Sequence, residues 1–193
     1  MSEVMVVNEE RPARRDAERN RGLIIDAARA ALDADRDVSL HAIAKAAGVG
    51  QGTLYRHFPN RETLVMEVHR NDVRDLVDAA PALLADHRPD VALRLWFDQL
   101  AQYGRIKHGL ADAIHTAMYT ELAAEGYGPV VGAIGSLLHA GERDGSLRND
   151  IAPDEVLLLV GFLWRVDLDD AWEDRTRRML DVVMAGLRSR ETQ

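Results

Sequence analysis

One seven-residue stretch concentrates side chains that can donate to, accept from or stack against another molecule. Its members are polar, basic or without a side chain, and they are Gln51, Gly52, Thr53, Tyr55, Arg56 and His57. With successive residues about 100° apart on a helix, Leu54 and Phe58 point together toward a core. The opposite side then carries Gly52, Thr53 and Arg56. This spacing predicts one outward face that is rich in hydrogen-bonding groups.

The outward face suits the edges of base pairs in a DNA major groove. Arg56 can donate to O6 and N7 of guanine, and Gln51 can read an adenine edge. Thr53 can touch a thymine methyl group or a phosphate, and Gly52 leaves room for the backbone to approach DNA. The alternative for Arg56 is an ordinary solvated charge.

Two further side chains lie on the flanks of this helix. Tyr55 lies beside Gln51, and His57 lies on the other flank, so both are better placed for phosphates, which position a protein without specifying a sequence. Tyr55 could instead be an aromatic at the rim of the core, and His57 could bond a nearby carbonyl.

The preceding residues predict a second short helix and a tight turn. Ser39 is a good N-cap, and Gly48 tolerates the positive φ that a helix terminator needs. Ala44 is small enough for two backbones to approach closely. The apolar residues that would fill the shared core are Ile43, Ala47, Val49 and Leu54. The pattern is that of a helix-turn-helix, and the alternative is an ordinary helical hairpin.

Composition narrows the function classes further. The chain has 193 residues and no cysteine, which excludes disulfides, cysteine-ligated metals and a thiol nucleophile.

Residues 11–61 carry ten Arg and Lys against six Asp and Glu, whereas residues 62–193 carry 14 against 23. A basic N-terminal part followed by an acidic C-terminal part is typical of a protein that binds a polyanion through its N-terminal part. No apolar run is long enough to cross a bilayer and the start is not a secretory signal, so we expect a cytoplasmic protein.

The stretch from Ala46 to Leu64, with GTLYRHF followed by NRETL, closely resembles the signature of TetR-family transcriptional regulators. Residues 24–28 and 39–44 match the first two helices of that family, so the resemblance covers roughly residues 20–75. The resemblance implies a homodimer that binds double-stranded DNA and a C-terminal body that binds an effector. It carries Ser39, Gln51, Gly52, Thr53, Tyr55, Arg56 and His57 over as DNA-facing residues, and Arg61 as a phosphate contact. The connector at residues 33–37 departs from the family, which usually has an aromatic residue and then a glycine turn here.

The rest of the chain shows only helical periodicity, so we predict an all-α fold. A flexible basic arm is expected at 1–18, the DNA-binding domain at 19–62, and a helical bundle for effector binding and dimerisation at 63–193. The arm could follow a phosphate backbone or a minor groove, or could simply be a solvated tail. The fourth helix is expected from Asn60 to about Ala80, with an apolar face against the body formed by Leu64, Val65, Val68 and Leu76.

Dimerisation is expected through residues of about 153–188. Residues 156–164 are apolar throughout, and a helix of that kind must be covered on nearly every side. In the resembled family, the last two helices of each subunit form an intersubunit four-helix bundle. The candidate interface residues are Leu159, Leu163, Met179 and Val183. Two subunits would bind a near-palindromic operator more tightly than one.

The effector pocket is expected among the middle helices and should take a small hydrophobic molecule. Its candidate residues are Trp96, Phe97, Leu100, Tyr103, Ile114, Met118, Ile134, Leu138 and Phe162. The spacing of His108, His115 and His139 does not favour a metal site, and no cofactor motif occurs.

No nucleophile elbow or phosphate-binding loop is present, so we do not expect an enzyme. The family resemblance implies a transcriptional regulator, which we expect to be a repressor. The alternative is a helical small-molecule-binding protein or enzyme with only incidental DNA affinity.

Overall fold

The computed structural model describes residues 10–35, 37–111 and 116–189, and the chain divides into two compact units between Val68 and His69. The helices are α1 (Glu10–Ala34), α2 (Leu40–Ala46), α3 (Gln51–His57), α4 (Arg61–Asp86), α5 (Pro89–Ala111), α6 (Thr116–Asp144), α7 (Pro153–Leu159) and α8 (Trp172–Leu187), with a 3₁₀ turn at Val160–Trp164. An isolated bridge between Leu147 and Arg188 is the only β-type pairing within the described residues. The all-α prediction is therefore confirmed.

The N-terminal unit has one apolar core, to which α1, α2, α3 and the start of α4 all contribute. Its buried members are Ile24, Ile25, Ala28, Ile43, Ala44, Leu54, Phe58, Leu64 and Val68. Leu64 and Val68 belong to this core and not, as expected, to a face packed on the body. The unit consequently extends to Val68, six residues beyond the predicted boundary. Residues 10–18 also differ from the prediction, since they lie in the helix α1 and not in a flexible arm.

The turn between α2 and α3 has the geometry that its glycine predicts. Ser39 is extended and its hydroxyl accepts a hydrogen bond from the Ala42 amide at 3.2 Å, which caps α2. Gly48 has a φ of 67°, in the left-handed region. The amides of Gly48 and Val49 donate back to the carbonyls of Lys45 and Ala44 at 3.2 and 3.0 Å. This double closure is a Schellman motif, which fixes the direction in which the chain enters α3.

The C-terminal unit is built around α5, which packs on α6, α8 and the 3₁₀ turn. Trp96, Phe97 and Leu100 of α5 are fully buried. The Trp96 indole donates to the Leu76 carbonyl of α4 at 2.8 Å, so its polar atom is satisfied inside the core. The buried Tyr103 hydroxyl lies 3.1 Å from a ring nitrogen of His69, which gives both side chains a partner.

Two helices continue through prolines. Helix α4 passes Pro81 and runs to Asp86, beyond the end expected near Ala80, and α6 passes Pro129 within one 29-residue helix. Each proline removes one backbone hydrogen bond from its helix. Burial of Val130, Ala133 and Ile134 beyond Pro129 offsets that loss because it places the next turns of α6 in the core.

The apolar run at 156–164 is not one continuous helix. Pro153 occupies the first position of α7, and the Glu155 carboxylate accepts from the Ala152 amide at 2.8 Å, as the sequence of this helix start predicts. After Leu159 the chain tightens into the 3₁₀ turn. On this segment Val156, Val160 and Leu163 are buried, whereas Leu158 and Leu159 are exposed.

A pair of glycines in α6 allows the packing to be tested. A Cβ added at Gly141 would lie 2.4 to 2.8 Å from three atoms of the buried Leu147, including its own Cβ. We expect Gly141→Ala to lower the free energy of unfolding by about 1–3 kcal/mol, because Leu147 has little room to move. Urea-induced unfolding followed by circular dichroism would measure the change.

The matched control is Gly132→Ala in the same helix, where an added Cβ meets nothing within 4 Å. This variant should raise stability by about 0.5–1 kcal/mol through helix propensity alone. Equal effects from the two substitutions would contradict the packing described around Gly141.

Candidate nucleic-acid interface

Helix α3 presents the face that its sequence predicts. Leu54 and Phe58 are buried in the core of the N-terminal unit. The residues that are exposed on the other side are Gln51, Gly52, Tyr55 and Arg56, and those that are half-buried are Thr53 and His57. Tyr55 is 50% exposed, so its ring is not simply an element of the core. The basic pair Arg56 and His57 lies in the last turn, where the helix dipole favours positive charge.

The start of α3 is fixed by its backbone and by a contact with α2. The Gly50 carbonyl accepts from the amides of Thr53 and Leu54 at 2.9 and 3.1 Å. The Gln51 amide nitrogen contacts Nδ1 of the exposed His41 in α2. This contact positions the Gln51 side chain at the outer surface. His41 lies ten residues before Gln51, so no local pattern in the sequence predicts this contact.

The end of α3 is held by an aromatic and a basic residue. The Phe58 amide donates to the Leu54 carbonyl at 2.8 Å, and the chain then becomes extended. The guanidinium of Arg21, on α1, lies 5.5 Å from the centroid of the Phe58 ring and 3.0 Å from the Glu67 carboxylate of α4. Arg21 therefore joins three helices of the unit. A cation–π contact of this kind contributes about 0.5–1 kcal/mol.

The beginning of α4 is capped as its sequence predicts. The Asn60 side-chain oxygen accepts from the Thr63 amide at 2.8 Å and from the Thr63 hydroxyl at 2.6 Å. Arg61 is consequently the first residue of α4 and is half-buried. Ser39 is the N-cap of α2, the position that Asn60 occupies before α4, and is exposed. Both residues that the family resemblance adds to the interface thus lie at helix starts in the N-terminal unit.

Gly52 has no role in the internal packing of the unit. A Cβ added there would meet nothing within 4 Å. A glycine inside a helix costs about 1 kcal/mol relative to alanine. The backbone of α3 is therefore open to the outside at this point.

The remaining predicted site residues lie in the C-terminal unit. The candidate effector residues that belong to its buried core are Trp96, Phe97, Leu100, Tyr103, Ile134 and Leu138, and Phe162 packs partly buried against them. Ile114 lies outside the described residues, as do the side chains of Met118 and His108 and the whole of His115. Within the part of the chain that the structure describes, no three His, Asp or Glu side chains are grouped to hold a metal ion.

The candidate dimer residues separate into two kinds. Leu159 is 52% exposed, and Met179 and Val183 are half-buried on α8. Leu163 is only 2% exposed and lies in the core of its own unit, because it follows the buried Val156 and Val160 at helical spacing. The expectation that Leu163 faces a partner therefore does not agree with the fold. Leu158 and Val182 are the strongly exposed apolar residues on these two helices, at 75% and 73%.

These features define a helix-turn-helix protein of the regulator class. The model for bacterial regulatory proteins of the tetR family matches residues 24–68, and the model for the C-terminal domain of SbtR-like transcriptional regulators matches residues 88–189. Together these two models span most of the chain. The chain belongs to the TetR family of transcriptional regulators, whose members bind DNA and act as dimers.

Solved structures agree over nearly the whole chain. A TetR transcriptional regulator from Streptomyces coelicolor is 32% identical, with a TM-score of 0.79 over 88% of this chain and 98% of that one. A TetR regulatory protein from Mycobacterium vanbaalenii is 31% identical, with a TM-score of 0.74 over 92% and 99%.

The curated relatives match a shorter part. An HTH-type transcriptional regulator from Staphylococcus aureus is 31% identical over 93 residues, which are 47% of this chain and 50% of that protein. The match thus spans about half the length of these relatives. Over the described residues, none of the helices has the length and apolar character that a membrane crossing requires.

Proposed function

We propose that the protein is a repressor that binds a near-palindromic operator as a homodimer and is released by a small hydrophobic ligand. The observation that carries the DNA-binding part is the outward face of α3, held in place by the burial of Leu54 and Phe58. A face with exposed Gln51, Tyr55 and Arg56 on a short, rigidly docked helix fits a major groove.

The residues of this face have different roles in the proposed complex. Arg56 and Gln51 read base edges, and Thr53 reaches a thymine methyl group or a phosphate. Tyr55, His57, Ser39 and Arg61 contact phosphates, which fix the register of the helix on the duplex. The open space beside Gly52 lets the backbone of α3 approach the DNA.

Two substitutions separate base reading from phosphate contact. Arg56→Ala should cost about 1–3 kcal/mol of operator binding and relax the preference at one base position. Tyr55→Phe should weaken binding to all sequences alike. Both side chains are exposed, so neither change should alter folding. Selection from a randomised duplex library, followed by titration at fixed salt, would measure both effects. An Arg56→Ala protein with unchanged affinity and preference would remove this residue from the reading face.

The dimer is proposed to form through the apolar surfaces of α7 and α8. Leu158, Leu159 and Val182 are more than half exposed, and Met179 and Val183 adjoin Val182 on α8. Leaving such side chains in water forgoes about 25 cal/mol for each Å² of apolar area. Covering them with the same helices of a second copy satisfies the twofold symmetry of most homodimers.

A charge on this surface should dissociate the dimer. We expect Leu159→Glu to give a folded monomer in sedimentation velocity at micromolar concentration, because its side chain is exposed in the protomer. Leu163→Glu should instead unfold the body, since it would bury a charge. Val91→Glu, at another exposed apolar position on α5, is the control and should stay dimeric. A dimer that survives Leu159→Glu would place the interface elsewhere.

Helix α4 supplies the proposed route from ligand to DNA. The helix gives Leu64 and Val68 to the N-terminal core and Leu76 to the core of the body. A ligand among the apolar residues around Trp96 and Tyr103 would change the packing of Leu76 and so bias the position of α4. Both reading helices engage only when they lie about 34–36 Å apart, one turn of DNA. A ligand that prefers the mismatched state lowers DNA affinity.

A thermal-shift screen of hydrophobic metabolites and drugs would find candidate ligands. Each hit should then weaken operator binding about 5–150-fold in a titration, the usual range of an allosteric coupling of 1–3 kcal/mol. Trp96→Phe, which removes the indole donor to the Leu76 carbonyl, should change this coupling more than it changes DNA affinity without ligand. Hits that stabilise the protein yet leave operator affinity untouched would contradict ligand release.

A further inference from the structure

A cleft lies on the surface of the body, and none of the predicted effector residues lines it. It has a volume of about 270 Å³ and opens between α5 and the first turns of α8. Its lining residues are Arg94, Asp98, Ala101 and Gln102 from α5, and Trp172, Glu173, Thr176 and Arg177 from α8. The volume is close to the lower end of ordinary small-molecule sites, so a compact ligand would fill it.

The floor of this cleft contains a buried hydroxyl group without a partner. Thr176 is 4% exposed, and its Oγ1 makes no hydrogen bond within the described structure. Buried polar groups nearly always have a partner, which can be protein, ordered water or a ligand. Because Thr176 lines the cleft, a molecule bound there can supply the missing hydrogen bond.

Both arginines that line the cleft are paired with carboxylates, whereas some of its hydrogen-bond acceptors have no partner among the described residues. Arg94 pairs with Asp98 at 3.3 Å and also with Asp181, and Arg177 pairs with Asp174 at 2.9 Å. Glu173, in contrast, has no ion-pair partner among the described residues and is exposed at the mouth. The amide of Gln102 adds another acceptor that no described contact occupies.

We propose that this cleft binds a small organic cation, a primary ammonium joined to a compact apolar group. The ammonium group donates to the Glu173 carboxylate and to the oxygens of Gln102 and Thr176, since an ammonium has three donors and no acceptor. The apolar group lies against Ala101 and the Trp172 indole, and an aromatic face also attracts a cation. An anion is disfavoured because both arginines of the lining are already paired with carboxylates.

The charged side of the cleft and the most exposed apolar residue of α8 lie on different sides of that helix. Glu173 and Arg177 follow each other at four-residue spacing along one flank, and Val182 lies about half a turn away from Glu173. Val183 lies on the face that also carries Trp172 and Thr176. A dimer contact centred on Val182 would therefore leave the Glu173 side of the cleft open to solvent.

Titration calorimetry of the full chain tests the proposal with three probes of similar shape. These are phenethylamine, 2-phenylethanol and 3-phenylpropionate, which are cationic, neutral and anionic. We expect phenethylamine to bind with about one molecule per protomer and the other two to bind at least about tenfold more weakly, as the loss of a charge-assisted hydrogen bond predicts. No heat from phenethylamine at millimolar concentration, or equal binding of 3-phenylpropionate, would overturn the proposal.

Two substitutions locate the bound amine. Glu173→Gln should weaken phenethylamine binding at least about fivefold, and its effect should shrink at high salt because the carboxylate is exposed. Thr176→Val, which removes the hydroxyl without changing the shape, should weaken binding and raise Tm. Glu142→Gln, an exposed position on α6, is the control and should bind like the parent. Unchanged affinity in both Glu173→Gln and Thr176→Val would place the amine outside this cleft.

Discussion

A seven-residue helix is too short to be stable alone in water, and α3 has only seven residues. Its shape and direction therefore depend on docking Leu54 and Phe58 into the core of the N-terminal unit. That burial also sets the positions of the side chains on the outer face. Leu54 is only three residues from Gln51, and Phe58 is only two residues from Arg56. The Schellman turn at Gly48 and the Phe58 C-cap fix the two ends of the helix. The positions of the exposed side chains of α3 thus depend on the packing of Leu54 and Phe58.

The same unit uses charge to support its packing. Arg21 stacks on Phe58 and pairs with Glu67, so one guanidinium links α1 and α4 to the end of α3. Arg56, two residues away from Phe58, remains at the surface. Arg21 and Arg56 therefore have different environments, because Arg21 lies over the Phe58 ring and Arg56 is exposed.

The body separates its apolar residues in a comparable way. Val156, Val160 and Leu163 follow one another at helical spacing and lie in the core. Leu158 and Leu159 lie on the other side of the same segment and are exposed. A run that is apolar throughout therefore has a buried side and an exposed side. On α8, the exposed Glu173 stands one turn before the buried Thr176.

Local chemistry in the sequence determined the helices, the caps at Ser39 and Asn60, the turn at Gly48 and the outward face of α3. Each of these depends on residues within about four positions of one another, which a linear sequence displays directly. The tertiary structure alone decided that Leu64 and Val68 belong to the N-terminal core, that α6 runs through Pro129, that His41 meets Gln51 and that Leu163 is buried. Those outcomes depend on partners far along the chain or on how a segment is rotated against its neighbours. Periodicity shows that an apolar face exists, but which element covers that face is settled only when the helices pack.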